Sequence, residues 1–507
     1  MRVIDNDTSH RPSAVLRGPA KPDLAISGIA LCAALALLGC EACDGERAKP
    51  PEPPHVLTTV RTGDAGVAAD AALVEPVAST PGFLDAPAGS LDALFRSLDA
   101  SERADPSGRT LLLFFGDSHT AGDSMTSRLR ITLQSRFGDA GRGLVAAGRA
   151  PTRHYYQRDV KYGITGTWKA AVGGHKGDAE PFGIGGLRVF GTTKGAQLWV
   201  STCDDCQAGK TTAQFEILYY AAPDHGLLRY RVDEGPWLEL KTKTAPIEPP
   251  HPARQVIAVA DGPHKLTLEH GGGGVLDLFG IGMERLRPGV IVDSLGVVGR
   301  RLGSLRSWDW AVIGEQLATR DPRLVVLQYG TNEADDPDLD LEAFARYYDE
   351  TILRIRAAAP TASIVILGPP DMATREAGKA CDRMKPKADG TIIPECMWRT
   401  PSVIRDIISV EHAAAVRNHV AFFDTFAAMG GADHMHDWLL AEPKVAYKDH
   451  VHFTDVGYQL WADAFERGLL AHYADWRRAN KLPPSTPHAA PPPSIPSTAP
   501  LPGPIPP

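Results

Sequence analysis

An α/β fold with a parallel sheet and helices on both faces, interrupted by an all-β insertion, is the class the sequence predicts, and three observations carry it. Continuous apolar runs of strand length break at Gly-containing turns and lead into helical periodicity, first at residues 111–137 and again from residue 289 onward. Between about 150 and 288 this alternation gives way to short β-prone runs separated by Gly, Pro and Asp. The chain of 507 residues, 43% apolar and 22% charged, also has ample material for a packed core and more than one domain.

Taken in order, the first segment reads as an export signal. Arg17 and Lys21 precede an uncharged run from Leu24 to Gly39, short for a spanning helix and suited to a signal-peptide core. It ends in Leu37-Leu38-Gly39-Cys40, which resembles a bacterial lipobox and implies a lipoprotein signal over residues 1–39 with Cys40 as the lipidated first residue. An ordinary signal peptide or a short membrane anchor is the alternative, and each version puts the remainder outside the cytoplasm, in the cell envelope. Residues 40–86, rich in Pro, Ala, Asp and Glu, read as a tether, and residues 481–507 as a Pro-rich disordered tail.

Seven cysteines fit that location. Cys32 goes with the signal and Cys40 with the lipid, leaving Cys43, Cys203/Cys206 and Cys381/Cys396. Cys203-Asp-Asp-Cys206 has the look of half a zinc site, but no second ligand pair lies at metal spacing, so a local disulfide is expected. Cys381 and Cys396 would close one loop, and Cys43 has no evident partner. A net charge of -8 provides no basic surface for counterion release, which argues against nucleic-acid binding.

The α/β region divides into residues 87–149 and 289–480. In the first part Leu111 to Phe115 reads as a buried strand, and Met125, Leu129, Leu133 and Phe137 as one helical face, capped by Asp123 and stopped by Gly138. In the second part strands are expected at Val290 to Val292, Leu324 to Tyr329, Ser363 to Leu367 and Val420 to Phe423, with a helix opening on Thr400 and Pro401. The alternation demands a parallel sheet. Residues 150–288 contain Gln197 to Ser201, Ala213 to Tyr220, Leu228 to Val232, Gln255 to Val259 and His264 to Glu269, the pattern of an inserted β-sandwich. Trp168, Tyr219, Tyr220 and Trp237 have two possible fates there, stacking on sugar rings or packing in a core.

Chemistry enters at the strand ends. A serine hydroxyl needs a base to take its proton and fixed donors to receive the oxyanion. Ser118 lies in a Gly116-Asp117-Ser118 turn between a buried strand and a helix, the place where a nucleophile projects from a sheet edge. Near the other end Lys448-Asp449-His450-Val451-His452 places a carboxylate three residues before an imidazole, so that Asp449 can orient His452 toward Ser118, with His450 as the local competitor. The Ser118 N–H, Gly299 in its Gly-x-x-Gly turn and the Asn332 amide are the candidate oxyanion donors.

The ordered set of Gly116-Asp117-Ser118, Gly299, Gly330-Thr331-Asn332 and Asp449 with His452 resembles the SGNH hydrolases, or GDSL-like esterases. Further matches at residues 137–143, at Asp293-Ser294-Leu295-Gly296, and from Asp424 through Met429-Gly430-Gly431 to Trp438 are similar to a branch of bacterial peptidoglycan and polysaccharide O-acetylesterases with a β-sandwich insert. That resemblance implies a flavodoxin-like three-layer α/β/α domain with a jelly-roll-like insert as a candidate carbohydrate-binding module, and a serine esterase that needs no cofactor. Two departures stand out. Val298 replaces the branch's usual Asn, leaving Gly296 and Gly299 as alternative donors with the better spacing at Gly299, and Glu333 replaces the more frequent Asp. Asp433, His434, His436 and Asp437 are read as a polar loop in preference to a metal site. The expected reaction is deacylation, most plausibly deacetylation, of cell-wall or extracellular polysaccharide; an O-acetyltransferase using the same site, and a surface glycan-binding protein with an inactive site, are the alternatives.

Overall fold

The computed structural model describes residues 82–149, 152–174, 180–375, 383–386, 389–395 and 398–483. Residues 1–81, with Cys32, Cys40 and Cys43, lie outside the described residues, as do Cys381, Cys396 and residues 484–507. The chain enters the fold at Leu84–Asp85 (β1), which pairs antiparallel with Phe423 and Phe422, so the tether expected over residues 40–86 ends before Leu84. Helix α1 (Asp92–Glu102), absent from the sequence reading, follows and buries Leu94, Phe95 and Leu98.

Strand β2 (Arg109–Gly116) is buried from Thr110 onward, as a continuous apolar run requires when both faces are covered. It leads into the short helix α2 (Ser118–Ala121) and then α3 (Ser124–Phe137), which Gly138 ends with φ 95°. Asp123 occupies the cap position of α3, but its carboxylate does not cap. It accepts from Thr126, Arg130, Arg142 and the Arg158 N–H, because two buried guanidinium groups need a counter-charge more than a helix end needs a cap.

The antiparallel region comprises β3 (Gly141–Val145), β4 (Lys161–Thr165), β5 (Lys169–Val172), β6 (Leu187–Gly191), β7 (Gln197–Ser201), β8 (Thr212–Ala221), β9 (Leu227–Val232), β10 (Leu238–Lys241), β11 (His251–Gly262), β12 (Lys265–Gly272) and β13 (Leu276–Glu284). One sheet runs β10-β9-β12-β7-β4 and the other β11-β8-β13-β6-β5, with β3 added on β13. Leu198, Val200, Leu266 and Leu268 of the first sheet meet Phe215, Ile217, Ile281 and Met283 of the second in one core, which makes the region a sandwich. It starts at Gly141, ahead of the expected residue 150, because β3 pairs with β13.

The chain then returns to β14 (Gly289–Gly296), a 3-10 turn at Leu302–Ser307, α4 (Trp310–Arg320), β15 (Leu324–Gln328), α5 (Leu341–Ala358) and β16 (Ser363–Leu367). Small strands β17 (Thr374–Arg375), β18 (Arg383–Pro386), β19 (Ile392–Glu395) and β20 (Trp398–Arg399) precede α6 (Val403–Asn418), β21 (Ala421–Phe423), α7 (Thr425–Ala428), α8 (Met435–Leu440) and α9 (Asp455–Ala479). Ser402, not Thr400, stands at the start of α6, because the Thr400 hydroxyl donates to Asp371 and its N–H to Asp433.

The main sheet has the order β1-β21-β16-β15-β2-β14, with β1 its antiparallel member. Its five parallel strands follow the flavodoxin-like order β14-β2-β15-β16-β21. Alternate residues serve opposite faces. Leu113, Phe115, Val325 and Ile366 meet α4, α5 and α6 through Ile313, Phe344 and Ile407, whereas Leu112, Phe114, Val326 and Val365 meet α1, α3 and α9 through Leu94, Leu129 and Phe465. Each such apolar side chain contributes about 1.5–3 kcal/mol on burial.

The sandwich shares this core. Leu218 on β8 and Phe279 on β13 pack with Trp308, Val312 and Ile313, opposite the face that Phe215 and Ile217 turn to the sandwich interior. Arg320 of α4, fully buried, reaches Asp293, Glu284 and Glu216, so charge as well as apolar contact joins the two layers. Among the described residues no helix is long and apolar enough to cross a membrane.

Candidate active site

Three neighbouring strands, β15, β2 and β14, end on the same side of the sheet, and their following loops carry Asn332, Ser118 and Gly299. Parallel pairing forces this, because the loop after every parallel strand emerges at the carboxyl edge. Ser118 is the first residue of α2, and Asp117 caps that helix by accepting from the His119 N–H at 2.9 Å. The helix can lie against β14 because Gly296 has no side chain: a Cβ there would sit 2.2 Å from the Ala121 nitrogen.

The fourth segment comes from the loop before α9. Ser118 Oγ lies 2.8 Å from His452 Nε2, and His452 Nδ1 lies 2.8 Å from Asp449 Oδ2. The other Asp449 oxygen accepts from the His452 and Val451 N–H groups, each at 3.0 Å, so the carboxylate is held by its own turn. Burial acts to raise the Asp449 pKa, but the bonds from the His452 ring and from these amides outweigh it and hold the carboxyl well below the usual range. For His452, burial pulls its pKa down, while the bond from Asp449 and the charges of Asp449 and Asp117 prevail and raise it above its ordinary value.

His450, the competitor, turns away from the cleft. It is buried with φ 58°, its Nε2 lies 2.9 Å from His436 Nδ1, and its ring stacks on Trp398 with centroids 3.5 Å apart. Asp433 accepts from Arg399 and from the Thr400 N–H, and His434 Nδ1 meets the Ala432 carbonyl, so the polar loop at 433–437 spreads over several partners. Among the described residues, the group of possible metal ligands lying close together is Cys203, Asp205 and Cys206, and its two sulfurs are joined to each other in a disulfide.

The cleft has a volume of about 750 Å³, and Ser118, His452, Gly299, Asn332, Tyr156 and Tyr447 are among the residues lining it. Gly299 faces it with φ 72° and open space where a Cβ would stand, while Gly296 lies within β14; of the two alternatives only Gly299 reaches the cleft. Asn332 donates from Nδ2 to the Arg300 carbonyl at 3.0 Å and makes a longer approach of 3.4 Å to Asp117.

Several residues around the site escaped the sequence reading. Burial raises Asp117 to about 7 and Glu333 to about 7. His119 is held well below its ordinary pKa, by burial first and by the charge of His452 second, and its Nδ1 lies 3.0 Å from the Tyr458 hydroxyl. Tyr156 is fastened to the nucleophile segment by its N–H to the Ala121 carbonyl, and Arg158 reaches Asp455 at 2.6 Å. Asp117 belongs to the Gly116-Asp117-Ser118 motif and Glu333 stood out as a departure from the usual Asp, but no local motif marks His119, Tyr156, Arg158 or Tyr458. The aromatics singled out in the insert fare differently. Trp168 and Tyr219 lie in the sandwich core, Tyr220 packs against the α/β core, and Trp237 lies against Arg229 and Arg231.

Sheet order, with Ser, Gly, Asn and His converging at one edge, defines an SGNH-fold carboxylic ester hydrolase. Within that class, residues 283–460 match the GDSL-like Lipase/Acylhydrolase family. The matched span leaves out Ser118, which the insert separates from it along the chain although the fold sets it against His452. Among solved structures, the chain is similar to one described as a peptidoglycan O-acetylesterase, with TM-score 0.62 and 24% identity over 78% of this chain and 100% of that one. An acetyl xylan esterase (TM-score 0.25, 16% identity, 36% of this chain and 80% of that one) is also similar, as is a family two carbohydrate esterase from Cellvibrio japonicus (0.23, 11%, 62% and 98%). No curated protein matches the chain.

Proposed function

We propose that the protein is an exported serine esterase that removes acetyl groups from cell-wall or other extracellular polysaccharide. The observation that carries the reading is the continuous relay from Ser118 Oγ through His452 to Asp449, 2.8 Å at each step, at the floor of an open cleft. With Asp449 ionised, the His452 proton resides on Nδ1, so Nε2 accepts the Ser118 proton as Oγ attacks the ester carbon. The Ser118 and Gly299 N–H groups receive the oxyanion, joined by the Asn332 amide hydrogen whose long 3.4 Å approach to Asp117 gives way to the substrate. His452 then returns the proton to the departing sugar hydroxyl, and water releases acetate from the acyl enzyme by the same steps in reverse order.

A polysaccharide substrate is supported by the rim of the cleft. Tyr156 and Tyr447, each 54% exposed, line it with aromatic side chains of the kind that stack on pyranose rings. The neighbour described as a peptidoglycan O-acetylesterase makes O-acetylated peptidoglycan the first substrate to try. Acetate release should be greatest from that polymer, lower from acetylated xylan and negligible from long-chain esters; a preference for the long-chain esters would refute the assignment. Replacing Tyr156 by alanine should raise KM for the polymer by roughly 3- to 10-fold, a larger effect than on p-nitrophenyl acetate. Export and anchoring rest on the Leu37–Cys40 motif. Metabolic labelling with a palmitate analogue should mark the wild type and spare Cys40→Ala, and equal labelling of both would remove the anchor.

A further inference from the structure

Gly299 and Asn332 stand on separate loops, and a short-lived oxyanion is stabilised only if donors from both are already in place. The Gly299 loop is not held by side-chain packing at the donor itself. Nothing lies within 4 Å of a Cβ built on Gly299. What joins the loops is a set of reciprocal polar bonds just behind the donors. The Glu333 carboxylate, 2% exposed, accepts from the Leu302 N–H at 2.7 Å with one oxygen and from the Gly330 N–H at 2.9 Å with the other. Arg301 Nε donates to the Asn332 carbonyl at 3.0 Å, and the Asn332 amide donates to the Arg300 carbonyl at 3.0 Å. Arg301 is itself tied to Asp336.

We infer that Glu333 is a positioning residue: its two carboxylate oxygens clip the Gly299 loop to the Asn332 loop and thereby fix the spacing of the oxyanion donors. The inference rests on the esterase reading above. An acceptor is needed on both sides, since Leu302 and Gly330 each offer an N–H and only an acceptor can lie between two donors. Glutamine supplies one acceptor and sets its NH2 against the remaining N–H, so one loop loses its anchor and a buried donor goes unpaired. Aspartate keeps both acceptors on a shorter arm. Arg301 fastens the same two loops from the solvent side, with 42% of its side chain exposed.

The test uses the full-length protein and reads kcat and KM for p-nitrophenyl acetate, affinity for phenylboronic acid, and Tm. The boronate forms a tetrahedral adduct on Ser118 whose oxygen occupies the oxyanion position, so it reports donor placement without turnover. Glu333→Gln should lower kcat about 10- to 100-fold and weaken boronate binding by a similar factor, with KM held within about threefold. Glu333→Asp should recover most of both. A folded Glu333→Gln protein with kcat and boronate affinity within about twofold of wild type overturns the inference. Should Glu333→Gln fail to fold, Arg301→Gln reads the same clip from an exposed position: a several-fold loss of kcat and boronate affinity supports it, and no change overturns it. Failure of the esterase reading looks different, because the wild type itself would then neither turn over the ester nor react with a fluorophosphonate.

Discussion

Replacing Ser118 by alanine is expected to lower kcat for p-nitrophenyl acetate by about 10⁴- to 10⁶-fold while leaving the protein folded. On the proposed mechanism the size follows from the removal of the atom that forms the acyl enzyme: without Oγ, the base at 2.8 Å has no proton to take, and the chemistry falls back on water in the cleft. Oxyanion donors and substrate contacts survive the change, so a residual rate above solution hydrolysis should remain. Stability should hardly move, because Ser118 borders an open cleft in which water can take over the hydrogen bond to His452. Turnover, fluorophosphonate labelling and Tm measured together check it; wild-type turnover in the alanine variant would take the serine out of its role.

Asp449→Asn should give the second-largest effect, about 10³- to 10⁴-fold in kcat, with a change in pH dependence that a general loss of structure would not produce. The sign follows from the groups around His452. Burial favours its neutral form, and the raised pKa exists because the Asp449 bond, then the Asp449 and Asp117 charges, outweigh burial. In the wild type the rate therefore rises with pH through a His452 pKa above 6.5, since only neutral His452 can accept the Ser118 proton. Without the Asp449 charge, burial dominates and the acid limb of kcat/KM should move to lower pH, even as the rate at its plateau falls. An unchanged acid limb would mean that another group sets it. Asparagine also offers an N–H in place of an acceptor to the ring, which favours the wrong tautomer and accounts for most of the rate loss.

Much of the architecture was legible because it is periodic. The apolar run at Leu111 to Phe115, the four-residue rhythm from Met125 to Phe137 and the Gly138 stop are local properties, and the fold keeps each. Where local signals met a buried charge they failed. Asp123 and Thr400 have the chemistry of caps, yet one serves two buried arginines and the other a buried aspartate. Helix α1 and strand β1 were missed because their meaning lies in what they cover: α1 packs on the sheet face that α3 and α9 also cover, and β1 pairs with a strand more than 330 residues away by register. Tyr156 and Glu333 have no significance until the loops that bring them to the cleft have folded.

By itself, then, the chain's order of residues determined the parallel sheet, the sandwich between its first and second strands, and the residue types able to attack, deprotonate and stabilise. For His452 over His450 and Gly299 over Gly296 the sequence already favoured one candidate, and tertiary structure shows which way each faces; it alone decided that Glu333 ties two loops together. The division has one physical cause. Periodicity and turn chemistry act between neighbours along the backbone, whereas the direction of a side chain at a loop is settled by burial and hydrogen bonding to groups that only the finished packing brings within reach.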